Sequence, residues 1–183
     1  MDKRFLIFLL LISISLGSFS QEKELIVKDI RAKFKEINDY KSYQKIILDN
    51  EEFMEKMTDG GGQLTAYLKN DSICKIYEWI GLSFGVRKTE YYYWNEVLFF
   101  AYQTEEVFNH VFHIADTVEI DMNLDEAYEL IKTSEKRFYF NSDTLVDLKK
   151  KGEELFGSET VKEAIESIQS SANDNLMIIK TRK

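Results

Sequence analysis

The alternation of apolar and polar positions divides the chain into a helical opening, a β-rich middle and a helical close. Between Glu22 and Asn38, Ile26, Ile30, Phe34 and Ile37 fall at i, i+4, i+8 and i+11 with Lys and Glu between them, the stripe of an amphipathic helix. After Gly157, Val161, Ala164, Ile165, Ile168 and Ala172 form a second stripe, with Ser158 placed to cap it. Leu176-Met177-Ile178-Ile179 follows either as a last helical turn or as a docked tail. Ile46-Ile47-Leu48 and Phe53-Met54-Met57 predict further helix, and Gly60-Gly61-Gly62 a flexible joint that stops it.

The middle is organised by one phrase that occurs three times. In register, each copy has Tyr (67, 92, 139), then Asn or Ser (70, 95, 142), an acidic residue (71, 96, 143), and Ile or Leu (73, 98, 145). Aromatic and β-branched residues fit a pleated surface, and Asn, Asp and Ser suit tight turns. Three hairpins of one design predict an antiparallel meander. Strands are expected near Leu64–Lys69, Ser72–Ile80, Phe84–Trp94, Val97–Gln103, Phe138–Phe140 and Leu145–Leu148. Asn123-Leu124-Asp125-Glu126-Ala127 reads as a short helix inserted before the third hairpin, and Glu105 to Ile120 has no clean period. The fold class is therefore α+β: about six meander strands packed by N-terminal and C-terminal amphipathic helices.

Side chains alternate across a strand, and cross-strand partners share a face. Short loops put Tyr93 opposite Leu98, Tyr92 opposite Phe99 and Tyr91 opposite Phe100. One face then gathers Tyr67, Cys74, Ile76, Tyr92, Phe99, Ala101, Tyr139, Val146 and Leu148. The other holds Leu68, Ile73, Leu98, Phe138, Phe140 and six amphipathic or aromatic residues: Tyr77, Trp79, Tyr91, Tyr93, Phe100 and Tyr102. Neither is polar enough for a solvated meander face. Either helices cover both, or the sheet curls into an aromatic trough. The small members of the first face place it under the terminal helices. The six residues of the second are the candidate ligand- or partner-binding set.

Composition adds a compartment. Lys3-Arg4, the apolar run Phe5 to Leu16 and the small residues of Ser18-Phe19-Ser20 make the three-part pattern of a secretory signal peptide. Residues 1–20 are read as that leader and 21–183 as one domain, periplasmic or secreted, starting near Gln21. The run is shorter than the roughly 20 residues a membrane span needs. The net charge of −8 disfavours nucleic acid as a partner. The single cysteine, Cys74, leaves no internal disulfide and reads as a core thiol. Asn70-Asp71-Ser72 matches the glycosylation acceptor pattern at a hairpin tip.

Catalytic text is thin. If residues 106–116 are helical, Glu106, His110 and His113 share a face and offer two imidazoles and a carboxylate to zinc, with Asp116 nearby. If they form a strand, the histidines point apart. The triple glycine is not followed by the Lys-Ser or Lys-Thr of a phosphate loop, and no cofactor is expected.

The phrases Ile30-Arg31, Ile37-Asn38 and Arg137-Phe138-Tyr139-Phe140, with the Tyr-rich meander between them, resemble a loose group of uncharacterised small exported bacterial proteins. The hairpins are also distantly similar to MORN-type repeats, which place Gly after the turn Asn where this chain has Asp71, Glu96 and Asp143. The resemblance implies an exported α+β protein and brings no catalytic residues. The expectation is a non-enzymatic binding protein whose partner is a protein, peptide or glycan of the envelope or exterior. The alternatives are a metal- or carboxylate-dependent envelope hydrolase and an inhibitor or immunity-type protein.

Overall fold

A computed structural model describes residues 3–110, 124–157 and 159–183, with side chains defined from residue 21. Helix α1 (Lys3–Asp39) leads into β1 (Gln44–Asp49), the short α2 (Asn50–Phe53), β2 (Gly62–Lys69), β3 (Ser72–Leu82), β4 (Gly85–Trp94) and β5 (Val97–Phe108). After residues 109–123 come α3 (Leu124–Ala127), β6 (Leu130–Asn141), β7 (Thr144–Gly152) and α4 (Val161–Lys180). The seven strands form one antiparallel sheet in chain order, each paired only with its sequence neighbours. The fold is an α+β meander with a helix on either face. Among the described residues no helix is long and apolar enough to cross a membrane.

The three recurring phrases are three turns of one kind. Asn70 and Asp71 have φ of 50° and 61°, Asn95 and Glu96 50° and 65°, Ser142 and Asp143 45° and 64°. They are enclosed by the pairs Lys69–Ser72, Trp94–Val97 and Asn141–Thr144. Two-residue loops with both φ positive are type I′ turns, whose twist matches that of the flanking strands. The acidic second residue stands where glycine costs nothing; a left-handed non-glycine residue costs roughly 1–2 kcal/mol. Asp143→Gly is therefore expected to raise stability by about 1 kcal/mol, since the Asp143 carbonyl that Gln169 bonds is retained. A lower melting temperature would contradict this account of the turn.

The repetition extends to a bulge. In each hairpin the register shifts just after the tyrosine, at Tyr67/Leu68, Tyr92/Tyr93 and Tyr139/Phe140. The skipped residues on the partner strands are Cys74, Phe99 and Val146, and all three belong to the core beneath α1. A bulge of one residue reverses the side-chain parity beyond it. This corrects the faces expected from simple alternation. Ile76, Ala101 and Leu148 cross to the side of Tyr91 and Tyr93. Phe100 and Tyr102 cross to the side of Tyr92 and Tyr139.

Each face has its own helix. Val27, Ile30 and Ile37 of α1 pack on Tyr92, Phe99, Phe100 and Tyr139. Ala164, Ile168, Ala172, Leu176 and Ile179 of α4 pack on Ile73, Ile76, Tyr91, Tyr93, Phe138 and Phe140. Burying an Ile or Leu of this kind contributes roughly 1.5–3 kcal/mol. The C-terminal helix and its tail also tie down all three tips. Gln169 donates to Asp143 O at 2.6 Å, Lys180 to Glu96 Oε2 at 2.8 Å, and Lys183 to Asp71 O.

Other expectations are corrected. Residues 44–49 are a seventh strand, not helix, because the β-branched Ile46-Ile47 pairs with Ala66 and Thr65 at the sheet edge. Gly60 is a close-approach residue, not part of a flexible joint: a Cβ there would lie 2.5 Å from the Gly81 carbonyl carbon. Thr160, not Ser158, caps α4, with Glu163 N–H donating to Thr160 Oγ1 at 3.3 Å and Thr160 N–H to Glu163 Oε2 at 2.8 Å. Ser158 and Asn123 lie outside the described residues. The helix continues through Asn175 to Lys180, so Leu176–Ile179 is helix rather than tail.

Candidate functional site

Where helix α1 packs on the sheet, a groove lies between it and strands β5 and β6. The part of α1 from residue 21 onward is fixed from both ends. Lys23 pairs with Asp147 of β7 at 2.8 Å, and at the other end Tyr43 donates to Ile37 O at 2.8 Å and Tyr92 to Asn38 Oδ1 at 3.3 Å. Between them Phe34 wedges against the sheet, its ring 4.9 Å from Tyr92 and 5.3 Å from Phe100. Phe100 lies 5.1 Å from Tyr139, so the floor is a continuous aromatic surface.

The groove encloses about 350 Å³ between Ile30, Arg31 and Phe34 of α1 and Phe100, Tyr102, Arg137 and Tyr139 of β5 and β6. This is the low end of the size range of small-molecule sites, and the make-up is theirs too: an apolar lining with few charged groups converging on it. Arg137 pairs with Glu135 at 2.9 Å and lies 5.4 Å over the Tyr102 ring. Tyr102 donates to the same carboxylate at 2.8 Å. That donated hydrogen bond, with Arg137, Lys132 and Lys151 nearby, outweighs partial burial and holds the Glu135 carboxyl below the usual range. Burial and Glu135 in turn raise the Tyr102 phenol. Beyond Arg31 lies a wider cleft of about 910 Å³, lined by Lys28 and Lys149 and also by Glu24 and Asp147.

The six aromatics expected to form one surface are divided among three places. Phe100 and Tyr102 line the groove. Tyr91 and Tyr93 lie under α4 as core, with Tyr91 donating to Glu78 at 3.0 Å and Tyr93 to Ala172 O at 2.7 Å. Tyr77 and Trp79, opposite Glu90 and Lys88, are half-buried farther along the face of α1. The metal constellation is placed in part. Glu106 lies in β5, not in a helix, and pairs with Lys88 at 2.5 Å. The His110 ring is within 2.8 Å of Ala127 O and stacks on Phe108. His113 and Asp116 lie outside the described residues. Among the described residues no group of three or more His, Cys, Asp and Glu is placed to hold a metal ion. Cys74 is free and half-buried, its thiol pushed up chiefly by burial.

Alternation within the sheet had no means of finding the helical wall of the groove. One signal was available: Arg31 has Val27, Lys28, Phe34 and Lys35 at its i±3 and i±4 positions, with no acid to pair. The phrases Ile30-Arg31 and Arg137-Phe138-Tyr139, far apart in sequence, meet across this groove. Comparison of the chain with protein-family models, with curated proteins and with solved structures finds no match.

Proposed function

We propose that the protein is an exported, non-enzymatic binding module whose ligand lies in the groove between α1 and strands β5 and β6. The observation that carries this reading is the preformed aromatic floor of Phe34, Phe100 and Tyr139 with Arg31 and Arg137 at its rim. Export rests on the leader pattern of residues 3–20. Of the residues considered for a metal-dependent hydrolase, Glu106 and His110 are engaged by Lys88 and the Ala127 carbonyl.

The test uses N-phenyl-1-naphthylamine, a neutral three-ring probe whose fluorescence rises in apolar surroundings. It is expected to bind the intact chain at one site, and Phe34→Ala and Tyr102→Ala to weaken it about tenfold, the loss of roughly 1.4 kcal/mol of ring contact. Circular dichroism confirms that both variants stay folded. No binding to the parent chain, or equal binding to both variants, overturns the assignment.

A further inference from the structure

Resting on that reading of the groove, we infer that its ligand is an organic anion, with one anionic head between Arg31 and Arg137 and an apolar body over Phe34, Phe100 and Tyr139. The net charge is −8, and on α1 itself Lys33 pairs with Asp29 and Lys35 with Asp39, each at i±4. Arg31 has no such neighbour and no partner among the described residues. Lys28, one turn earlier on the same wall, has Glu24 four residues before it but forms no ion pair among the described residues. Two like charges at i and i+3 repel, and an anion between helix and sheet relieves that repulsion.

The opposite wall repeats the pattern. Arg137 gives one guanidinium nitrogen to Glu135, yet that carboxylate also accepts from Tyr102 and pairs with Lys132 at 3.8 Å. Five N–H donors cannot be satisfied by half of one shared carboxylate, and the Arg137 side chain remains 42% exposed. Lys149 stands 5.9 Å over Tyr139 at the junction with the wider cleft. Exposed arginines on open surface are ordinary. Here two of them border the same apolar groove, and a planar fork suits carboxylate, sulfonate and phosphate oxygens alike.

The shared chemistry is separated from a purely apolar site by a matched pair of dyes. 1-Anilinonaphthalene-8-sulfonate carries the ring system of N-phenyl-1-naphthylamine plus one sulfonate. In Arg31→Gln and in Arg137→Gln the affinity ratio of the charged to the neutral dye is expected to fall at least tenfold, and less in Arg31→Lys. Octanoate, octyl sulfate and octyl phosphate are expected to displace the charged dye where octanol fails, and their order identifies the head group. A ratio unmoved in both glutamine variants, or displacement by octanol as good as by the three anions, overturns the anionic ligand while leaving the groove as a binding site. Failure of the neutral dye to bind the parent chain overturns both.

Discussion

Above pH 10 the protein is expected to lose stability at about 4 kcal/mol per pH unit, so that a domain of ordinary stability is unfolded by about pH 12–13. The cause is the run Tyr91-Tyr92-Tyr93. Burial raises all three phenols far above their ordinary value of 10.0, with Glu78 reinforcing it at Tyr91 and Tyr93 and Glu90 at Tyr92. Tyr43, at the end of α1, is pushed up to about 12, again chiefly by burial. A group whose folded pKa is raised contributes stability that is complete below the unfolded value and declines as pH rises toward the folded one. Three such groups release about three more protons from the unfolded chain than from the native one. The measurement is the denaturant midpoint against pH, with phenolate absorbance followed in parallel. Titration of these tyrosines near pH 10 with the fold intact would refute the buried placement. Tyr93→Phe should cut the slope by about a third.

Glu154→Gln is expected to cost about 3–5 kcal/mol, more than most single substitutions in the chain. Lys136 is only 3% exposed. Its ammonium is held by Glu154 at 2.6 Å, with Glu159 more distant at 3.9 Å. Removing the nearer charge leaves a buried cation with a remote, half-exposed partner. Lys136→Met combined with Glu154→Gln should recover most of the loss, because the penalty lies in the orphaned charge rather than in the missing attraction. A double variant as weak as the single one would show that the loss comes from packing. Burial raises the Glu154 carboxyl, but Lys136 and Lys150 outweigh it and hold the group below its ordinary value of 4.5. With a depressed folded pKa, its contribution is present above 4.5 and fades as pH falls below it. The acid limb of stability should therefore flatten in Glu154→Gln.

The meander was legible because turn chemistry is local. Asn70-Asp71, Asn95-Glu96 and Ser142-Asp143 announce their turns within two residues, and all three adopt the same conformation. The bulges at Cys74, Phe99 and Val146 were not legible. A bulge is chosen by what each face must bury, and nothing in a strand's own text marks the extra residue. Missing them transferred Phe100 and Tyr102, and with them Tyr77 and Trp79, to the wrong side. Strand β6 was read short because Lys132 to Arg137 is polar text. Its residues find cross-strand and loop partners instead: Ser134 bonds Glu105, Lys136 pairs with Glu154, and Arg137 crosses to Tyr102. The groove was half visible. Its sheet wall was among the aromatics singled out, whereas the facing helix residues depend on how α1 lies across the sheet.

The neighbour-only pairing of the seven strands also governs how the chain finds its structure. Every ladder joins segments that are adjacent in sequence, and apart from the β1–β2 and β5–β6 connections the gaps to be closed are short. Closure entropy grows with gap length, so assembly starts at the four two-residue reversals, the β3–β4 connection at Ser83-Phe84 included, and zips outward. The sheet should then collapse rapidly for so β-rich a polypeptide. The slower events are the landing of the first and last segments, whose contacts span much of the sequence, as between Lys180 and Glu96. The groove between α1 and the sheet, walled by one of those late arrivals, is completed only when α1 docks.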